Sequence, residues 1–384
     1  MDYDVIIVGG GLAGLALAVA LRRSRFTVAV VEGRMPYRLE GWDARIYAIS
    51  PANMRFLDSI GIWPHLDAAR LTPVRKMAVR GDGGSELGFS AYGSGVGELA
   101  WIVESSLLQC ELWESARRQG NLDLLCPAEP VLLDIGGHEV ILKLADQRTL
   151  TAKLIIAADG ADSWTRTTAG IDVDFLHYEQ AGVVANFTTA RPHREVARQW
   201  FRPDGVLAYL PLPGNLISIV WSTPTAHAEE LLALSAPEFC EHVAAAGEYA
   251  LGKLSLVTSP AAFPLRLMRA PHTVAHRLAL IGDAAHTIHP LSGHGINLGF
   301  QDAQSLAATL TACPTHVDHG DVQWLRRHER ARREEVVALQ SATHGLQRLF
   351  GAPQASVAAL RKFGLNFVDH LPVIKDVLVR YAMG

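Results

Sequence analysis

The chain has 384 residues, 49% of them apolar and 19% charged, with a formal net charge of −4. That length allows two domains or one large composite one, with a sizeable core, and the acidic balance gives no electrostatic case for nucleic acid. Four scattered cysteines (Cys110, Cys126, Cys240, Cys313) form no CxxC pair, which argues against a disulfide framework or a cysteine metal cluster and suits a reducing cytosol.

The chain opens "MDYDVIIVGGG", directly in an apolar strand, with no charged n-region and no cleavage site. The apolar stretch "LAGLALAVAL" stops at Arg22, far too short to span a bilayer. A soluble or peripheral protein, placed in the cytoplasm, is expected. Residues 4–8 read as a buried parallel strand. Gly9, Gly11 and Gly14 then supply G-x-G-x-x-G at the start of a helix. Gly9 suits the tight turn, Gly11 lets backbone approach a pyrophosphate, and Gly14 allows close packing of helix on strand. The next strand, "TVAVVE", ends at Glu32, whose carboxylate suits ribose hydroxyls and would repel a 2′-phosphate. Strand, helix, strand and acid in register predict a dinucleotide site, for FAD or for NAD.

Further along, "WDARIYAISPANMRFLDSIGIW" (42–63) carries D-x-R followed by an amphipathic helix, and "YGSGVGELAW" (92–101) reads as a loop. "LIIAADGADSWTRTTAGI" (154–171) is a strand running into D-G-x-x-S-x-x-R. The alternating segment 173–267 predicts an antiparallel sheet. Then comes "GDAAHTIHPLSGHGINLG" (282–299), with three histidines and a serine. Ser292 lacks the G-x-S-x-G setting of a nucleophile elbow. Pro290 would break a helix aligning His286 with His289, and H-E-x-x-H is absent, so no metal site is expected. Residues 346–384 read as a terminal helix pair. Its apolar positions suit packing on the body or across a homo-oligomer, and Arg361, Lys362, Lys375 and Arg380 leave room for contact with an acidic membrane surface.

The order of the D-x-R, D-G and G-D segments resembles the FAD-dependent aromatic hydroxylases of the para-hydroxybenzoate hydroxylase type. Within that group the chain is most similar to the ubiquinone-biosynthesis hydroxylases, a likeness carried by "WFRPDGVLAYLPLPGNLISIVWSTP" (200–224) and by the C-terminal segments. The resemblance implies an α/β fold: a Rossmann-like FAD-binding domain, an antiparallel β-sheet substrate domain and C-terminal helices. The expected FAD domain is discontinuous, at 1–72, 97–172 and 268–345. The substrate domain takes 73–96 and 173–267, leaving 346–384 as a helical piece.

The resemblance also implies roles for residues. Glycines 9, 11 and 14, with Glu32, Arg45, Asp159, Gly160 and Arg166, would hold FAD. Gly282 and Asp283 would meet the ribityl chain. Gly293, Gly295, Ile296 and Asn297 would open a helix whose N–H groups face the flavin's pyrimidine edge, favouring its reduced, more negative state. Arg45 and Arg166 could instead be ordinary exposed or ion-paired arginines. Pro290 would wall the flavin, and His289 is the nearest proton-handling candidate, with a structural role equally open. His294 stands where the subfamily usually has glutamine.

The implied reaction hydroxylates an aromatic ring, a polyprenylated phenol of ubiquinone biosynthesis, with NADH or NADPH and O2 through a flavin C(4a)-hydroperoxide; the cofactor carries the difficult chemistry. The alternatives are a hydroxylase of another small aromatic, a flavin halogenase, a prenyl reductase, or a non-catalytic FAD-binding scaffold subunit. The halogenase string W-x-W-x-I-P is absent. Implied partners are the aromatic substrate, a membrane surface at the inner membrane, a second copy of the chain, or a quinone-biosynthesis complex.

Overall fold

The computed structural model describes residues 2–81, 86–288 and 295–351. In chain order the first part comprises β1 (Tyr3–Val8), α1 (Leu12–Ala20), β2 (Val28–Val31), β3 (Ile46–Ile49), α2 (Pro51–Ser59), β4 (Thr72–Val74), β5 (Lys76–Arg80) and β6 (Glu86–Ser90). Then follow β7 (Ala100–Glu104), α3 (Ser105–Arg117), β8 (Leu122–Leu125), β9 (Pro130–Ile135), β10 (Val140–Leu144), β11 (Thr149–Ala157) and α4 (Trp164–Thr168). The second part has β12 (Asp174–Thr189), β13 (Val196–Arg202), β14 (Gly205–Leu212), β15 (Leu216–Pro224), α5 (Thr225–Ala233), α6 (Ala236–Ala246), β16 (Leu254–Leu256) and β17 (Ala261–Arg269). It ends with β18 (Val274–Ala275), β19 (Leu278–Leu280), β20 (His286–Thr287), α7 (Gly295–Thr311) and α8 (Val322–Gly351).

The first sheet runs β18-β19-β11-β1-β2-β8, with β10 bridging β11 and β9. Its centre is parallel, β1 lying between β11 and β2. The apolar runs "VIIV" of β1 and "VAVV" of β2 are buried throughout, as a sheet covered on both faces requires. Helices α1, α3 and α7 contribute to the core on one face, with Leu15, Val19, Leu108, Leu112, Phe300 and Leu306. Ser50 starts α2, its side chain accepting from the Asn53 N–H, with Pro51 in the first turn, a start signal readable from the residues themselves.

The second sheet runs β20-β17-β12-β15-β14-β13-β5-β6, with β16 also on β12. It is antiparallel except where β5 joins β13 in parallel. Side chains alternate across it. Val183, Phe187, Trp200, Tyr209, Ile219 and Trp221 point to one face and pack under α5 and α6. Each such burial contributes roughly 1.5–3 kcal/mol. On the opposite face Val184, Val220 and Ala208 stand side by side on β12, β15 and β14, half-buried. Further along that face, Leu210, Leu212 and Leu216 pack on the small third sheet β3-β7-β4. Strand β12 is long, and its register with β17 shifts between His177 and Gln180. Helix α8 continues past residue 345 to Gly351; residues 352–384, and with them most of the expected helix pair, lie outside the described residues.

Candidate active site

Three glycines at the end of β1 do different things. Gly9 has φ +109°, and a Cβ there would sit 2.3 Å from the Ala158 carbonyl oxygen at the end of β11. A Cβ on Gly14 would sit 2.1 Å from the Gly9 oxygen, so this glycine lets α1 close on the turn. A Cβ on Gly11 would meet nothing within 4 Å among the described residues beyond its own chain neighbours. Helix α1 begins at Leu12 with no side-chain cap and no acidic residue in its first turn. No side-chain cap takes its first N–H groups, which with the positive dipole end suit an anion. Glu32 accepts from the Gly10 N–H (2.6 Å) and the Arg34 N–H (2.9 Å). Gln109 on α3, which the motif pattern does not signal, donates to the Gly10 carbonyl (2.9 Å).

The D-G segment meets this turn from behind. Asp159 accepts from the Ser163 hydroxyl and from both the N–H and hydroxyl of Thr165 (2.9 Å each), so it ties the loop to the first turn of α4, which Ser163 caps. Gly160 adopts φ +86° with open space beside it. Arg166 is buried and donates to two backbone carbonyls, Ala284 and Ala161, at 3.0 Å each. It thereby links the D-G loop to the G-D loop through carbonyls, not through a surface carboxylate.

The G-D loop lies against α1. Ala13 Cβ is 3.2 Å from the Cβ position of Gly282 and 3.3 Å from that of Gly299, which brings α1, the loop and α7 to one point. Asp283 is exposed, yet protein groups crowd its carboxyl. Desolvation pushes its carboxyl above the usual carboxylate range, opposed by the charges of His286, Arg45 and Arg266. The described part of helix α7 begins at Gly295, with no acidic residue in its first turn and, among the described residues, nothing within 4 Å of the Gly295 Cβ position. Ile296 packs against the core of the first sheet. Asn297 accepts from the Ser50 N–H (2.9 Å) and the Asn53 amide (3.0 Å), and donates to the Ala48 carbonyl (2.8 Å). Its side chain thus locks α7 to β3 and α2.

Arg45 is exposed and lies 5.7 Å from the Tyr47 ring centroid. Burial raises the Tyr47 phenol above its ordinary value, with Arg45 lowering and Asp283 raising it further; Tyr47 is a site neighbour that the sequence did not signal. The D-x-R spacing has a physical reason. Asp43 accepts from the Arg45 N–H (2.8 Å) and from the Ser106 N–H (2.9 Å) at the start of α3, and Asn186 of β12 donates to the Asp43 carbonyl (2.8 Å). Glu104, almost fully buried, accepts from the Asp43 N–H (2.7 Å) and twice from Arg70 (2.6 Å). His289, Pro290, Gly293 and His294 lie outside the described residues.

The family model described as "FAD binding domain" matches residues 2–343. The ubiquinone hydroxylase UbiL of Rhodospirillum rubrum is 37% identical over 99% of this chain and 89% of its own. The 3-demethoxyubiquinol 3-hydroxylase of Escherichia coli is 31% identical over 99% of this chain and 98% of its own. Among solved structures, PqsL of Pseudomonas aeruginosa, a probable FAD-dependent monooxygenase, superposes with a TM-score of 0.79 at 23% identity, covering 95% of this chain and 99% of that one. The uncapped start of α1 behind an open Gly11 and the carboxylates of Glu32 and Asp283 are the donors and acceptors an FAD dinucleotide needs. With a family match across almost its whole length and a site built to suit the cofactor, the chain belongs to the FAD-binding-domain family and is an FAD-dependent monooxygenase.

Proposed function

We propose that this enzyme hydroxylates the aromatic ring of a ubiquinone precursor carrying a polyprenyl chain. The observation that carries the reading is likeness along nearly the whole chain to relatives named as ubiquinone hydroxylases, at 31–37% identity. Bound FAD, reduced by NADH or NADPH, supplies the oxygen-activating chemistry. The protein's own share is to bind, orient and exclude water. In this reading the N–H groups of α1 take the pyrophosphate, Glu32 the ribose, Asp283 the ribityl hydroxyls, and Arg45 a phosphate or flavin edge. Gly295, Ile296 and Asn297 present the start of α7 to the ring. The row Val184, Val220 and Ala208 gives an apolar wall against which an electron-rich ring and the start of a prenyl tail can lie. His289 as proton handler and Pro290 as flavin wall belong to the same proposal.

The proposed division of labour gives residues 1–72, 97–172 and 268–345 to the cofactor and 73–96 and 173–267 to the substrate. A prenylated substrate resides in lipid, so the enzyme works at the membrane surface, alone or within a quinone-biosynthesis complex. Among the described residues no helix is long and apolar enough to cross a membrane, which suits peripheral contact.

The test is to supply purified, flavin-loaded enzyme with prenylated phenols and either nicotinamide. Oxidation of the nicotinamide should rise with the phenol, and a product heavier by one oxygen should accumulate. Peroxide alone with every prenylphenol, or a product gaining two hydrogens without oxygen uptake, would overturn the reading.

A further inference from the structure

Beneath the G-D loop lies a buried cluster that the cofactor contacts above do not include. Asp302, on α7, accepts from the Gly282 N–H (3.0 Å) and from His286 Nε2 (2.7 Å) through one oxygen. Its other oxygen accepts from Arg332 Nε of α8 (2.8 Å). All three side chains are buried, at 1%, 5% and 8% exposure. Arg332 also donates to Gln301 (3.0 Å) and to Glu335. Gln340, two turns further along α8, donates to the carbonyls of Met268 (2.9 Å) and Thr287 (3.1 Å).

We propose that His286, Asp302 and Arg332 form a positioning unit that holds the Gly282–Asp283 turn in the shape that receives FAD. The proposal rests on the reading of that turn as part of the cofactor site.

The argument is geometric. One carboxylate oxygen holds both the first residue of the loop and the ring four residues later, so the backbone between them has little freedom. Asp283 sits inside that closed segment and is itself exposed. Buried ion pairs are poor sources of stability, because desolvation offsets most of their attraction and apolar residues of similar volume often serve as well. What such a group supplies in this fold is a fixed direction for the Gly282 N–H and a fixed backbone under Asp283. The cluster also has a charge consequence. Burial alone would favour a neutral His286, but the Asp302 carboxylate overrides it and raises the ring's pKa. The imidazolium in turn draws Asp283 toward its ionised form against burial, and the ionised form is the better acceptor for hydroxyl donors.

The experiment measures FAD affinity of the apo-protein by flavin fluorescence, alongside its melting temperature without cofactor. His286→Asn, Asp302→Asn and Arg332→Met should each weaken FAD at least tenfold, and Arg332→Lys, which keeps the charge, should recover most of that loss. Tyr209→Phe, which breaks a 2.6 Å bond to the Val243 carbonyl in the second core, is the control for general destabilisation. Wild-type FAD affinity, within twofold, in folded His286→Asn would overturn the proposal, as would equal weakening in Tyr209→Phe. Should Asp302→Asn not fold, His286→Asn and the Arg332 pair decide. Asp283→Asn separates the two ideas: if it leaves FAD affinity unchanged, the cofactor role of the turn fails. If it weakens FAD while His286→Asn does not, positioning alone fails.

Discussion

Gly11 and Gly14 stand three residues apart in one motif and should fail in opposite ways. Gly14→Ala forces a methyl against the Gly9 carbonyl oxygen, and overpacking of this kind typically costs about 1–3 kcal/mol. Urea unfolding of the apo-protein should show that loss. Gly11→Ala meets no protein atom, so the apo-protein should unfold within about 1 kcal/mol of wild type. In the proposed cofactor site its new methyl would crowd the pyrophosphate, and FAD affinity should drop at least tenfold. The turn at Gly9 and the close packing at Gly14 could be read from the sequence because G-x-G-x-x-G fixes both within one short stretch. The partners of Asp159 and Arg166 could not. Asp159 takes the Thr165 N–H of the next helix and Arg166 finds backbone carbonyls, and a backbone partner leaves no mark in the residue pattern. The role of His286 left no mark for a related reason: its partner Asp302 lies on the following helix.

At the scale of elements, the loop between β2 and β3 owes its shape to β7 and α3. Glu104 gathers the Asp43 N–H and the Arg70 guanidinium, and Arg70 also covers the Trp42 ring at 4.4 Å. Arg70 is only partly buried and keeps the Gly41 carbonyl as an acceptor, so removing Glu104 costs what hydrogen bonds to a charged group are worth, about 1.5–3 kcal/mol. Glu104→Ala should therefore lower the unfolding free energy by about that much in denaturant titration. The variant should also weaken FAD, because Arg45 follows Asp43 in the same loop. The D-x-R string announced Arg45 but not its support, since Glu104 and Arg70 are distant in sequence. The third sheet, β3-β7-β4, was hidden likewise: its strands are short and pair across long intervals. The alternating pattern of the second sheet was legible because one face of its strands packs under α5 and α6, and burial on one face leaves a period of two in the residues. The parallel joining of β5 to β13 was not, because periodicity carries no information about strand direction.

The whole molecule inherits a pH dependence from α8. His328 is buried beside Ser305 (3.0 Å), and burial pushes its pKa down to about 4. An unfolded histidine titrates near 6.5. As pH falls from about 6.5 to 4 the unfolded chain binds a proton that the folded one refuses, so stability is lost across that window, on the order of 3 kcal/mol. His286 has the opposite sign: its folded pKa is raised, so its contribution is complete below about 6.5 and fades as pH rises through the folded value. Denaturant midpoints of wild type and His328→Gln, compared between pH 7 and pH 4.5, should show the variant losing less stability on acidification, with the alkaline limb unchanged. The topology also carries a consequence in time. Tyr3 pairs with Ala152, Gly9 rests on Ala158, Gly282 is held by Asp302, and Asp302 by Arg332. Ribosomes add roughly 5–20 residues per second, so the last of these partners emerges tens of seconds after the first glycine. The berth for FAD is thus among the last things the nascent chain finishes, and flavin capture becomes a receipt for a translated α8: a product stopped before that helix should remain colourless.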